Sequence, residues 1–258
     1  MPSSPTGSVI IACEMMEDEV LLALEKSYDG GPRPTLIWFE SGLHDRPERL
    51  QTALQGLIDL LDEGARSGQP AVLPSVIPGQ GPLESRRVEV EVAPAETILL
   101  AMGYCGTALR GLVSREAHLV FPRVDDCISL FLNPGCTREE IERDARSYYL
   151  TRGWFCHSSS WSDSFDTWVE RYGEEKARHL RRLMYAAYER VTLIDTGAYD
   201  VDDWLEHSQA HADDLELDHR LVAGSTQLLE RLFRGPWDSE IVVVPPGEAV
   251  SATCLFAE

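Results

Sequence analysis

Residues 9–40 read VIIACEMMEDEVLLALEKSYDGGPRPTLIWFE, and the order of patterns within them sets the fold class. An unbroken apolar run, Val9-Ile-Ile-Ala, is too short for a helix and carries no alternation, as expected of a strand buried on both faces. Residues 14–27 follow with helical spacing of apolar side chains. Asp29-Gly-Gly-Pro then makes a turn, and Thr35-Leu-Ile-Trp-Phe-Glu40 is a second buried strand. Strand, helix and strand within 32 residues form a βαβ unit, whose strands run parallel.

The same alternation continues outward. Residues 45–65 place Leu50, Leu54, Leu57, Ile58 and Leu61 on one helical face, with Pro47 near the start. The stretch 70–92 is rich in Pro and Gly and reads as a surface excursion with one edge strand. Strands are expected at 97–102 and 118–121, with a helix from Gly106 between them, and another segment at 128–132. Thr137-Arg-Glu-Glu140 is a capping box that predicts a helix over 138–147. A short strand at 148–150, helices over 163–190 broken near Gly173, a strand at 191–194, helix over 207–234 and a strand at 241–244 complete the reading. The expected architecture is a single α/β domain over 1–258, with one mostly parallel sheet flanked by helices.

Composition narrows the function classes. Lys and Arg number 23 against 43 Asp and Glu, a formal charge of −20. Nucleic-acid binding needs clustered cations to neutralise phosphate, so this balance argues against it. Only Lys26 and Lys176 are lysines, so the positive charge is nearly all arginine, the rigid bidentate donor. Six cysteines at irregular spacing do not form a disulfide framework, which points to a reduced, cytoplasmic compartment. Neither a secretory signal nor a membrane span is expected from the apolar runs.

Chemistry concentrates just past the strands. Cys13 follows the first, His44 the second, Cys105 the third and Cys127 the fourth. In open α/β sheets ligands bind beyond the carboxyl ends of the strands, so these four side chains are expected at one edge. Three thiols and an imidazole make a donor set for a soft metal, zinc foremost. The competing reading is ordinary: free cysteine is often buried and packs as a small hydrophobe. Gly103-Tyr-Cys-Gly106 and Asp125-Asp-Cys127 place two of the thiols in polar or flexible surroundings. Cys136, Cys156 and Cys254 carry no such pattern, although Cys156-His157 is a reserve ligand pair.

Several stretches then resemble the domain-of-unknown-function family 1638. They are Ile11-Ala-Cys-Glu14, Ser41-Gly-Leu-His-Asp-Arg-Pro47, Gly103-Tyr-Cys-Gly106, Pro122-Arg-Val-Asp-Asp-Cys127, Tyr148-Tyr-Leu-Thr-Arg-Gly-Trp154, Asp195-Thr-Gly-Ala-Tyr199 and Pro245-Pro-Gly-Glu248. One departure is the Gly-Thr-Ala-Leu run after Cys105, where a Gly-Asn-Gly-like turn is expected. The resemblance implies a setting beside corrinoid-dependent methyltransferases, and it supports Cys13, His44, Cys105 and Cys127 as metal ligands. The expected function is metal-dependent methyl transfer in one-carbon metabolism, on a small-molecule substrate and with a corrinoid protein or methyltransferase as partner. His44 would be the fourth ligand or an acid–base group. Arg123, Asp126 and Glu14 would support the ligands or bind substrate. An iron–sulfur cluster held by the three cysteines, or a non-catalytic accessory of a methyltransferase, are the alternatives.

Other signals are weaker. No dinucleotide fingerprint, Walker pattern or nucleophile elbow occurs. His157-Ser-Ser-Ser-Trp161 reads as a turn. Tyr148, Tyr149, Trp154 and Trp38 are core aromatics or the wall of a pocket for a methylated ammonium. Tyr172, Leu180, Leu183, Met184 and Tyr188 form a stripe expected to pack on the sheet.

Overall fold

The computed structural model describes residues 7–79, 81–135, 137–157 and 161–255. Cys136 and the serines at 158–160 lie outside them. The chain opens with strand β1 (Ser8–Cys13), a 3-10 turn (Glu14–Met16) and helix α1 (Glu17–Tyr28). Strand β2 (Thr35–Phe39), a second 3-10 turn (Leu43–Asp45) and helix α2 (Pro47–Ser67) follow, then strand β3 (Ala71–Val76), the short helix α3 (Leu83–Arg86) and strand β4 (Arg87–Val92). Next come β5 (Thr97–Ala101), β6 (His118–Pro122), α4 (Cys127–Phe131), β7 (Ser147–Leu150) and α5 (Arg152–His157). The remainder is α6 (Trp161–Tyr172), α7 (Glu174–Tyr185), β8 (Arg190–Asp195), α8 (Asp202–Leu215), β9 (Asp218–Ala223), α9 (Gln227–Arg234) and β10 (Ile241–Val244).

The α/β reading holds, with a mostly parallel central sheet in the order β10-β6-β5-β1-β2. β1 pairs in parallel with β2 and with β5, β5 pairs in parallel with β6, and β10 alone runs antiparallel. Val9 to Ala12 and Ile98 to Ala101 are fully buried, which explains why these runs lack polar alternation. The chain leaves β1 toward β2 and returns to β5 on the other flank. The strand order therefore reverses between β1 and β5, the place where open sheets hold ligands. Helix α2 buries Leu50, Leu54, Leu57, Ile58 and Leu61 as its spacing predicts.

The rest of the chain builds two further sheets, and here the structure corrects the expectation of one. β3 and β4 form an antiparallel hairpin where a single edge strand was expected. Ser75 ties it to β2, accepting from Trp38 N at 2.9 Å. β7, β8 and β9 form a separate parallel sheet over a second hydrophobic core of Leu150, Val191, Leu193 and Tyr185. β9 occupies part of the span expected to be helix over 207–234; only α8 and α9, on either side of it, are helical. No helix follows Gly106. That loop is held instead by distant backbone bonds, Gly111 N to Val250 O and Val250 N to Leu112 O, both 2.8 Å. The capping box at Thr137 is real, yet it heads only a 3-10 turn, Arg138–Glu140.

The expected stripe of Tyr172, Leu180, Leu183, Met184 and Tyr188 is corrected in part: Tyr188 packs against the second core. Tyr172, Leu183 and Met184 are exposed, while Ala177, Arg181 and Tyr185 face inward. Arg181 can be buried because Asp214 takes its two terminal nitrogens at 2.5 and 2.6 Å, and its guanidinium lies 4.3 Å over the Phe165 ring.

Polar bonds seam the second sheet to the first. Arg152 grips Asp18 at 2.6 and 2.8 Å, and Thr196 donates to the buried Glu19 at 2.9 Å. Gly153 closes the contact: a Cβ there would lie 1.9 Å from the Met15 carbonyl oxygen. Only glycine lets α5 rest directly on the turn that follows Cys13. Among the described residues no helix is long and apolar enough to cross a membrane.

Candidate functional site

Cys13 is the last residue of β1 and is buried. Cys105 lies four residues past β5 with φ at +47°, a left-handed conformation that costs a residue bearing a Cβ about 1–2 kcal/mol. Two backbone bonds hold it there, Tyr104 N to Val124 O at 2.9 Å and Cys105 N to Asp125 O at 2.7 Å. Gly103 makes that approach possible, since a Cβ on it would sit 2.4 Å from Asp126 Cα. The loops after β5 and β6 are thus laid against each other. Cys127 opens α4, whose first turn is capped by Asp126 accepting from Ser129 N at 2.9 Å.

These elements bring Cys13, Cys105 and Cys127 to one cavity of about 360 Å3. One side is the carboxyl edge of the central sheet. The other belongs to the second sheet and α5, which contribute Tyr148, Tyr149, Thr151 and Trp154. Met15, Met16 and Met102 add three thioethers, and Phe39, Leu50, Ile128 and Phe131 add apolar surface. Sequence reasoning missed the methionines, although each lies within three residues of a cavity cysteine. Among the described residues that line the cavity none is Lys or Arg.

Burial is the main influence on the thiols. It pushes Cys105 up to about 12, with the nearby Cys13 and Asp126 adding to the rise. Cys13 is raised further by burial, opposed by a hydrogen bond from the Met15 backbone and reinforced by Cys127 and Glu14. Cys127 is raised by burial, then by Cys105, Asp126 and Glu19. Each thiol thus feels another, around a closed ring of three. At neutral pH all three are protonated, so none is a free-standing nucleophile.

The other expected residues separate. His44 lines the cavity at its mouth, half exposed, with Nε2 3.4 Å from Asp45 Oδ1. Asp126 lines it too, and its second oxygen accepts from Arg143 at 2.6 Å. Arg123 does not reach the cavity. Its guanidinium donates to the Ser239 carbonyl at 2.6 Å and to the Cys254 carbonyl, tying the end of β6 to the C-terminal segment. Glu14 is buried behind the cavity, accepting from Arg86 at 2.5 Å and Ser41 N at 2.8 Å. Nor does Cys156-His157 line it; His157 is buried with Nε2 3.2 Å from Glu17. Trp38 is buried in β2, whereas Tyr148, Tyr149 and Trp154 do reach the cavity.

Three thiols sharing one cavity form a suitable donor set for a soft metal. They are not already drawn together: among the described residues no three His, Cys, Asp or Glu side chains stand as a group able to hold a metal ion. Holding an ion would require the three thiols to come closer together.

Residues 83–233 match the model of a family described as "Protein of unknown function (DUF1638)". Cys105, Asp126, Cys127 and the aromatic wall fall inside that match, while Cys13, His44 and the 245–248 turn fall outside it. No curated protein and no solved structure matches the chain significantly. The match spans more than half of the sequence, and the chain belongs to the DUF1638 family.

Proposed function

We propose that the cavity is a thiolate metal site, with Cys13, Cys105 and Cys127 as ligands and zinc as the ion. The observation that carries this reading is the convergence on one cavity of three thiols, from the end of β1 and from the segments that follow β5 and β6. The strained backbone at Cys105 supports it, because unfavourable geometry persists where the surroundings enforce a purpose. Bound zinc would supply Lewis acidity, lowering the pKa of a thiol or amine.

The chain's own residues do the rest. Asp126 fixes the N-terminus of α4 and so the position of Cys127. His44, at the mouth, is placed to act as a fourth ligand or to exchange a proton with solvent. The lining presents mainly apolar and aromatic surface to the thiols. Arg123 holds the end of β6 through the Ser239 and Cys254 carbonyls. The reaction proposed for such a site is methyl transfer to or from a small molecule, with a corrinoid protein or methyltransferase as partner; the family resemblance is the support for that setting.

Anaerobically purified protein tests the reading by elemental analysis and absorbance. The expected result is one zinc per chain with no visible band, lost in Cys105→Ser. Iron with labile sulfide would replace zinc by a cluster. Absence of any metal in protein with intact thiols, before and after zinc addition, would overturn the site. Methyl transfer from a candidate donor, abolished by Cys105→Ser, is the expected activity.

A further inference from the structure

We infer that the cavity captures a trivalent, thiophilic hydroxide of the arsenous-acid type through Cys13, Cys105 and Cys127. This rests on the reading above only in treating the three thiols as one site; it does not depend on zinc.

Charge decides between ions. Three thiolates around a divalent ion leave a net charge of −1, whereas three around a trivalent ion are neutral. Burying a net charge is costly unless an opposite charge compensates it. Among the described residues that line it none is Lys or Arg, and Arg143, which reaches the Asp126 carboxylate at 2.6 Å, is matched by that charge. Met15, Met16, Met102, Phe131 and Trp154 make its surface soft and apolar.

Coordination number points the same way. A trivalent ion with a lone pair takes three donors in a pyramid and needs no fourth. His44, the one imidazole among the described residues that line the cavity, is half exposed and lies beside Asp45. The balance is simple. Three S–H bonds and three metalloid–OH bonds break, three metalloid–sulfur bonds form, and the protons leave with the hydroxides as three waters. No electron is transferred.

Inorganic arsenite titrated into the reduced, full-length protein tests this by native mass spectrometry. One arsenic per chain is expected, displaced by excess small dithiol. Differential alkylation of the wild-type protein should show Cys13, Cys105 and Cys127 protected together, a readout that needs no variant to fold. Each Cys→Ser change at these positions should weaken binding at least tenfold, and Cys156→Ser should leave it unchanged. Protection of only two of the three, or of Cys156, overturns the inference. So does zinc binding at the three thiols with arsenite refused, an outcome that leaves the zinc reading standing. Arsenite bound with zinc refused does the reverse, and refusal of both removes the common site.

Discussion

Replacing Glu19 by Gln should remove a pH dependence of stability that the fold imposes on a single carboxyl. Glu19 lies in the first turn of α1, fully buried, with Oε1 accepting from Thr196 at 2.9 Å. Burial pushes its pKa up to about 7 from the ordinary 4.5, opposed by hydrogen bonds from its own backbone and from Thr196. The folded chain therefore holds a proton that the unfolded chain releases. The resulting stability is complete below pH 4.5 and is lost as pH rises through about 7. At 1.36 kcal/mol per pKa unit the full loss is about 3 kcal/mol, of which about 2–3 falls between pH 5 and pH 8. Gln copies the protonated acid in shape and cannot ionise.

The assay is urea denaturation of wild type and Glu19→Gln at pH 5, 6, 7 and 8. The difference in stability between the two proteins cancels every other titrating group. It should shift in favour of the variant by about 2–3 kcal/mol between pH 5 and pH 8, a midpoint shift of about 1 M urea. A difference that stays flat across the range would show that Glu19 titrates normally, and would refute the argument that burial controls it.

His211 should impose the opposite slope, since burial lowers its pKa to about 4. Its neutral form belongs to the folded state, so stability is full above pH 6.5 and falls toward pH 4, by at most about 3 kcal/mol and less with solvent screening; His211→Phe should flatten the acid limb of a urea-midpoint profile. Gly153→Ala forces a Cβ onto the Met15 carbonyl and should cost about 1–3 kcal/mol or more in thermal or urea unfolding, with Trp154 fluorescence reporting the loosened α5. At Cys105 the αL backbone predicts that Cys105→Gly is more stable than Cys105→Ala by about 1 kcal/mol, the reverse of the order in a helix; equal midpoints would mean the loop is not held in that conformation.

How much of this was legible in the sequence depends on what each residue buries. β1, β2, β5 and β6 are apolar throughout because both faces of the central sheet are covered, and α2 repeats its leucines because one face is. From those elements the shared edge of Cys13, Cys105 and Cys127 followed by topology alone. β9 was invisible for the converse reason. Asp218-His-Arg-Leu-Val-Ala223 is an edge strand, mostly exposed, so it carries neither alternation nor an apolar run. The loop after Cys105 misled because its start resembles a helix N-terminus, while its shape is set by bonds to residues near 250. The α7 face misled because a buried Arg181 neutralised by Asp214 does the packing that the sequence assigned to Leu183 and Met184.

The cavity's two walls have different origins, and this bears on what the site can do. Cys13 ends β1 of the central sheet, whose core holds Val9 to Ala12, Leu99 and Phe121, and Cys105 and Cys127 sit on the loops beyond β5 and β6 that bond to each other there. Tyr148 and Trp154 belong to the second core and brace each other, Trp154 Nε1 donating to the Tyr148 hydroxyl at 3.1 Å. The walls meet through Gly153 against Met15, Arg152 on Asp18 and Thr196 on Glu19. On the proposed metal reading, rotation of the cysteine side chains toward an ion begins in the first wall. Tyr148 and Trp154 are held by the other core, so on the proposed metal reading they are placed to orient a second reactant beside whatever the thiols hold. A site built entirely within one core would lose that independence, because closing the ligands would repack the surface that receives the substrate.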